Sequence, residues 1–179
     1  MSILTDALKC SVSVDGEEIG IKTDFRIWLR FDGILKSKKC FWEKLSEMIM
    51  LCLEPNEELP QNAGALFDAL LDFYCRGKKP SGGGKHVFDA EADADYIYAA
   101  FYEQYGIDLI ETPMHWHKFC ALLSGLSDDT CLMQIIRIRS MDETGLDVKN
   151  RASLRKLKSA YALPKDGGID AAQVLADAF

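Results

Sequence analysis

The stretch KCSVSVDGEEIGIKTDFRIWLRFDGIL, residues 9–35, holds two hydrophobic periods in succession. From Lys9 to Ile21 apolar residues alternate, with Val12 and Val14 on one arm and Ile19 and Ile21 on the other. Asp15-Gly16 between them is a strong two-residue turn signal, because the favoured turn needs positive φ at both central positions. A hairpin is predicted. At Thr23-Asp24 the period changes: a capping side chain precedes Phe25, Trp28, Leu29 and Phe31, which share a helical face as far as Ile34-Leu35.

Downstream the pattern is helical. Phe41, Leu45, Met48, Ile49 and Cys52 recur at helical spacing until Pro55, and Asn62 opens a third helix with Leu66, Phe67, Leu70, Leu71 and Tyr74 on its buried face. Residues 76–86, RGKKPSGGGKH, offer nothing to anchor a core and read as a flexible Gly-rich loop. Asp89 is expected to open a long helix through Ile97, Ala100, Phe101 and Tyr105, closed by Gly106. Thr112-Pro113 is expected to start the next, with Trp116, Phe119, Cys120 and Leu123 in register up to Gly125. Ser127-Asp128-Asp129 is expected to cap another, running through Leu132, Ile135, Ile136 and Ile138. From Met141 the aromatics thin out. Arg151, Arg155, Lys156 and Lys158 surround Leu154, Leu157 and Tyr161 on a short basic helix, and Ile169 to Phe179 is an Ala-rich end.

The expected fold is mainly α: a small N-terminal β-hairpin packed on a bundle of about five or six helices, with a loosely attached C-terminal helical tail. Residues 1–140 would form the hairpin and helical core, and 141–179 the basic helix and Ala-rich tail. With 179 residues, 48% of them hydrophobic, the chain can build a core without disulfides or metal. Its 21 basic against 28 acidic residues, net charge −7, argue against a general nucleic-acid binder, which needs a basic surface to hold phosphates. There is no basic start followed by an apolar run, and no stretch long enough to span a bilayer, so a cytoplasmic protein without a membrane partner is expected. The six cysteines are widely spaced, and the settings Leu51-Cys52-Leu53 and Tyr74-Cys75 suggest buried, reduced thiols.

No chemical motif survives inspection. Gly84-Lys85 resembles the end of a phosphate-binding loop, but His86 follows where Ser or Thr is required, and a helix leads in rather than a strand. Asp89, Glu91, Asp93 and Asp95 alternate like calcium ligands, yet the sixth and twelfth positions are Ala94 and Ala100; acidic residues complementing a helix N-terminus explain them better. His115 and His117, with Cys120 nearby, are ligand types, but two residues apart on a helix they point about 200° away from each other. A packed Trp116 between partly exposed imidazoles is the expectation. No nucleophile, base and orienting acid assemble. Accordingly no catalytic, cofactor-binding or metal-binding residue is nominated, no cofactor is expected, and an enzyme is the weakest class.

One region is more distinctive: Phe88-Asp89, Ala94-Asp95, Tyr96-Ile97-Tyr98-Ala99-Ala100-Phe101, Gln104-Tyr105-Gly106-Ile107-Asp108-Leu109, His115-Trp116, Lys118-Phe119, Ala121-Leu122-Leu123, Gly125-Leu126 and Arg137. With the hairpin, Thr23-Asp24-Phe25-Arg26 and Trp28-Leu29, it resembles the bacteriophage gene-product-fifteen family of siphophages and prophages, over nearly the whole chain to about residue 140. The resemblance implies a place in the tail module, between the major tail protein and the tape-measure protein. That place belongs to tail assembly chaperones, mostly helical proteins that coat the tape-measure helix until the tail tube forms around it. It further implies the tape-measure protein and other tail proteins as partners, a homo-oligomer, and the cytoplasm of a bacterial host. A holding chaperone needs apolar surface and adaptable contacts. Tyr98, Tyr102, Trp116 and Phe119 are the residues expected on the client or self-association surface. Two rival readings are a structural tail component retained in the virion and a small DNA-binding regulator that uses the 149–158 helix.

Overall fold

A computed structural model describes residues 4–55, 57–78 and 86–164. The Gly run of the expected loop and the Ala-rich end lie outside them. Strands β1 (Ser11–Val14) and β2 (Glu17–Gly20) form an antiparallel hairpin that pairs Ser11 with Gly20 and Val14 with Glu17. Its turn carries φ 50° at Asp15 and 91° at Gly16, which is why a glycine stands at the second position. Seven helices follow among the described residues: α1 (Phe25–Lys36), α2 (Phe41–Cys52), α3 (Ala63–Tyr74), α4 (Ala94–Tyr105), α5 (Trp116–Ser124), α6 (Cys131–Ser140) and α7 (Val148–Ala160). The mainly α fold with a small hairpin is therefore the one observed.

The hairpin is stitched to the helices by backbone. The Lys22 N–H donates to the Cys52 carbonyl (2.7 Å) and the Glu54 N–H to the Gly20 carbonyl (3.0 Å), so the chain leaving α2 covers the outer edge of β2. A second short pairing joins Asp24 to His115: the Phe25 N–H donates to Met114 (2.8 Å) and the Trp116 N–H to Thr23 (2.7 Å). This pairing holds His115 extended, so α5 begins at Trp116 and not at Thr112-Pro113, where a turn closes with the Thr112 N–H donating to Asp108. His115 itself caps it, its Nδ1 accepting from the His117 N–H.

A run of aromatic rings forms the centre of the core. Phe101 of α4 stacks on Phe119 (5.2 Å between centroids), and Phe119 lies against Phe25 (4.6 Å) and Trp116 (5.9 Å). Trp116 stacks on Tyr74 (5.3 Å), Tyr74 meets Phe31 (5.4 Å), and Phe31 meets Trp28 (5.1 Å). Rings from α1, α3, α4 and α5 thus touch in one series, and stacked or tilted aromatic pairs add to the burial of their large apolar area. The two indole N–H groups in it are satisfied by backbone, Trp28 by the Lys22 carbonyl and Trp116 by the Tyr74 carbonyl, both at 2.9 Å.

Two ionic networks clamp residues 87–93. Lys36 bridges buried Asp32 (2.6 Å) and Asp89 (2.8 Å), while the Tyr74 hydroxyl donates to the other Asp32 oxygen (2.8 Å). Burial opposes the Lys36 charge, but the two carboxylates outweigh it and raise its pKa. Asp89 also accepts from the Glu91 and Ala92 N–H groups; burial would raise its pKa, yet those N–H groups and Lys36 bring it below the usual value. Asp93, fully buried, receives Arg139 through both nitrogens of its guanidinium fork (2.7 and 2.8 Å). These contacts give Asp89 and Asp93 a tertiary role beyond the expected helix-dipole complement, which Asp95 in the first turn of α4 keeps. Residues 90–93 form a turn, and α4 starts at Ala94 rather than Asp89.

Two other expectations shift. Thr130, not the Ser127-Asp128-Asp129 run, caps α6: its hydroxyl accepts from the Met133 N–H. In α3, Phe73 is buried beside Leu66, Leu70 and Tyr74, whereas Phe67 and Leu71 are half-buried. Gly106 ends α4 with φ 65°, the left-handed C-cap anticipated for it. Beyond residue 140, α7 packs on α6 with Leu154 buried, and Arg139 reaches across to the Tyr161 carbonyl (2.7 Å).

Candidate functional site

The four residues expected on a client surface separate into two groups. Trp116 and Phe119 are fully buried members of the aromatic series, which corrects their assignment as contact residues. The face they share with Cys120 and Leu123 is consumed in joining α5 to α1, α3 and α4. Tyr102 is 59% exposed, and its ring stacks on half-buried Tyr98 at 6.3 Å. Tyr98 rims an apolar pocket of about 280 Å³ whose other walls are Phe25, Leu29, Ile97, Leu109 and Ile110, with Phe119 beneath. Arg26 shapes the mouth, donating to the carbonyls of Leu109 (2.8 Å) and Ile110 (2.7 Å).

Further exposed apolar side chains lie on α2. Trp42 is 67% exposed, and Phe41 beside it meets Trp42 edge-on (5.2 Å) and Phe67 of α3 (5.3 Å). Met50, two turns along the same helix, is 80% exposed. Free solvation of a Trp and a Met on one helix leaves apolar area that a partner could cover. Sequence periodicity had assigned Phe41 to the buried face and passed over Trp42. Trp42 stands at the margin of the apolar stripe, about 20° beyond Ile49 and at the first turn of α2, where fewer neighbours reach it.

A cleft of about 860 Å³ runs between residues 6–13 and α3 and is lined at one end by His117 and Ala121 of α5. Ala65, Asp68, Ala69 and Asp72 line its helical wall; Lys9, Arg76 and Lys78 bring positive charge. His115 and His117 do come together here, rings 5.1 Å apart, because His115 precedes the helix. The His115 Nε2–H donates to the Lys9 carbonyl and the His117 Nε2–H to the Phe73 carbonyl, both at 2.9 Å. Both imidazoles therefore serve as ties between segments. Burial, with His115, Arg76 and Lys9 nearby, lowers the His117 pKa against the pull of that carbonyl.

Among the described residues no group of three or more His, Cys, Asp or Glu side chains is placed to hold a metal ion, and no helix is long and apolar enough to cross a membrane. The cysteines are unpaired: Cys52, Cys75 and Cys120 are buried, as their neighbours suggested, and Cys10, Cys40 and Cys131 are exposed. Burial pushes Cys52 and Cys120 up to about 12 and Cys75 to about 11, the chemistry of inert core thiols. On α7 the cations reach back to the preceding turn: Arg151 to the Leu146 carbonyl, Arg155 to Glu143, Lys158 to the Met141 carbonyl.

Fold and surfaces together define a mainly α protein with exposed apolar side chains on α2 and α4 and a charged cleft beside α3. The chain belongs to the family described as Bacteriophage Gp15 protein, whose model matches residues 4–163, from before the hairpin to the end of α7. No curated protein and no solved structure matches it.

Proposed function

We propose that this phage-family protein is a tail assembly chaperone that binds and solubilises the tape-measure protein, working in the cytoplasm of the bacterial host and self-associating to sheathe its client. The observation that carries the reading is the exposure of Trp42, Phe41 and Met50 on α2, in a chain of this family. A long apolar helix awaiting assembly needs adaptable apolar contacts, and an aromatic pair with an unbranched thioether two turns further along the helix supplies them. Tyr98 and Tyr102 on α4 offer a second, smaller contact of the same kind.

Co-expression with the neighbouring tape-measure gene tests it. Soluble tape-measure protein should rise with the wild type and fall back with the double variant Phe41→Ser, Trp42→Ser. Equal insolubility with and without the protein, and no co-purifying complex, would sink the proposal. Mass spectrometry of purified particles separates the rival structural role, which requires stoichiometric presence in the virion.

A further inference from the structure

The hairpin's β2 edge is covered where the chain leaves it, and its β1 edge is open. The Ile21 N–H donates to the Cys10 carbonyl (2.9 Å), and the register continues this pairing through Val12–Ile19 and Val14–Glu17. In an antiparallel ladder such pairs turn their N–H and C=O groups inward, and the residues between them turn theirs outward. Outward on β2 are Gly20, whose carbonyl accepts from the Glu54 N–H, and Glu18 nearer the turn. Outward on β1 are Ser11 and Ser13, and next along the chain the Lys9 carbonyl, already occupied by His115. Among the described residues the main-chain N–H and C=O of Ser11 and Ser13 meet no partner on that edge.

An open edge of this kind is normally blunted or covered, because its free groups template another strand. Here it borders the 860 Å³ cleft. The opposite wall is α3, which presents the small side chains Ala65 and Ala69 beside exposed Asp68 and Asp72, and leads to Arg76.

We infer that this cleft receives an extended peptide segment of a partner protein, which adds a third strand to the hairpin by pairing with Ser11 and Ser13. Charge selects the segment. A cationic side chain meets Asp68 and Asp72, an anionic one faces Arg76, and small or hydroxylated side chains fit over Ala65 and Ala69. Main-chain hydrogen bonds supply affinity and the charged wall supplies direction, as in other strand-addition sites. The site is distinct from the α2 surface and does not depend on the chaperone reading.

The test uses the full chain, labelled with nitrogen-15, and a blocked peptide alternating Thr and Val with a central Lys and a terminal Glu, against a charge-reversed peptide of the same length. The expected result is that the first peptide shifts the Ser11 and Ser13 amides and slows their exchange, leaving the inward Val12 and Val14 amides protected as before. Ser13→Pro removes only an outward donor, so it should retain the fold and weaken binding about tenfold. The double variant Asp68→Lys, Asp72→Lys should exchange the preference between the two peptides, which keeps the inference testable if proline disturbs the hairpin. Neither peptide reaching Ser11 and Ser13, or no change in preference with the reversed wall, would overturn it. So would protection of these amides by self-association without peptide, which would make the occupant a second copy of this chain.

Discussion

Arg139 and Asp93, 46 residues apart, form a two-pronged ion pair at 2.7 and 2.8 Å around a carboxylate with no solvent exposure. The same guanidinium donates to the carbonyls of Val87 (3.0 Å) and Tyr161 (2.7 Å), so it ties α6 both to the turn before α4 and to the end of α7. Removing one partner strands a buried charge, so Arg139→Ala should cost about 3–5 kcal/mol in urea unfolding and should loosen α7. Amide exchange along α7 checks the second effect; unchanged protection there would show that α7 is held by its apolar contacts alone.

Burial separates two aromatic residues that look alike in sequence. Phe119→Ala leaves a cavity between Phe25, Trp116 and Phe101 and should cost about 3–5 kcal/mol, whereas Tyr102→Ala should stay within about 0.5 kcal/mol. Paired thermal melts decide this.

His117 gives the protein a pH dependence of defined sign. Its folded pKa lies below the ordinary 6.5, so between the two values the unfolded chain binds more protons. Its contribution to stability is complete above pH 6.5 and is lost as the pH falls through the folded value. Lys9, Arg76 and His115 face it and deepen the effect on protonation. The urea midpoint should therefore drop on acidification below pH 6.5, and His117→Gln should flatten that part of the profile.

Thiol titration should divide the six cysteines in half. Cys10, Cys40 and Cys131 are exposed and should react with a colorimetric disulfide reagent at once. Cys52, Cys75 and Cys120 should wait for denaturant, being both shielded and held in the thiol form. More than three fast thiols in the native protein would contradict the packing around α2, α3 and α5.

Local patterns carried much of this fold. Alternation and Asp15-Gly16 specify the hairpin, Asn62 and Asp24 cap the helices assigned to them, and Gly106 ends α4, because turn and cap preferences act over a few residues. The same local rules misplaced the starts of α4, α5 and α6. Asp89, Thr112 and Ser127 are all good capping types, yet Asp89 is drawn to Lys36 and the strand pairing at His115 keeps residue 112 outside the helix.

The sequence by itself determined the element types, the net acidity and the family, while of the six thiols expected to be buried Cys10, Cys40 and Cys131 are exposed. Tertiary structure alone decided which apolar faces were covered. A helical stripe states that one side avoids water, but not whether a neighbouring helix or a partner provides the shelter. Trp116 and Phe119 proved to be core because α1, α3 and α4 converge on them, and Trp42 proved to be surface because only the edge contact with Phe41 shelters its ring. Long-range ion pairs such as Lys36 with Asp89 and Arg139 with Asp93 lie beyond any local pattern, since their partners meet only once the helices have packed.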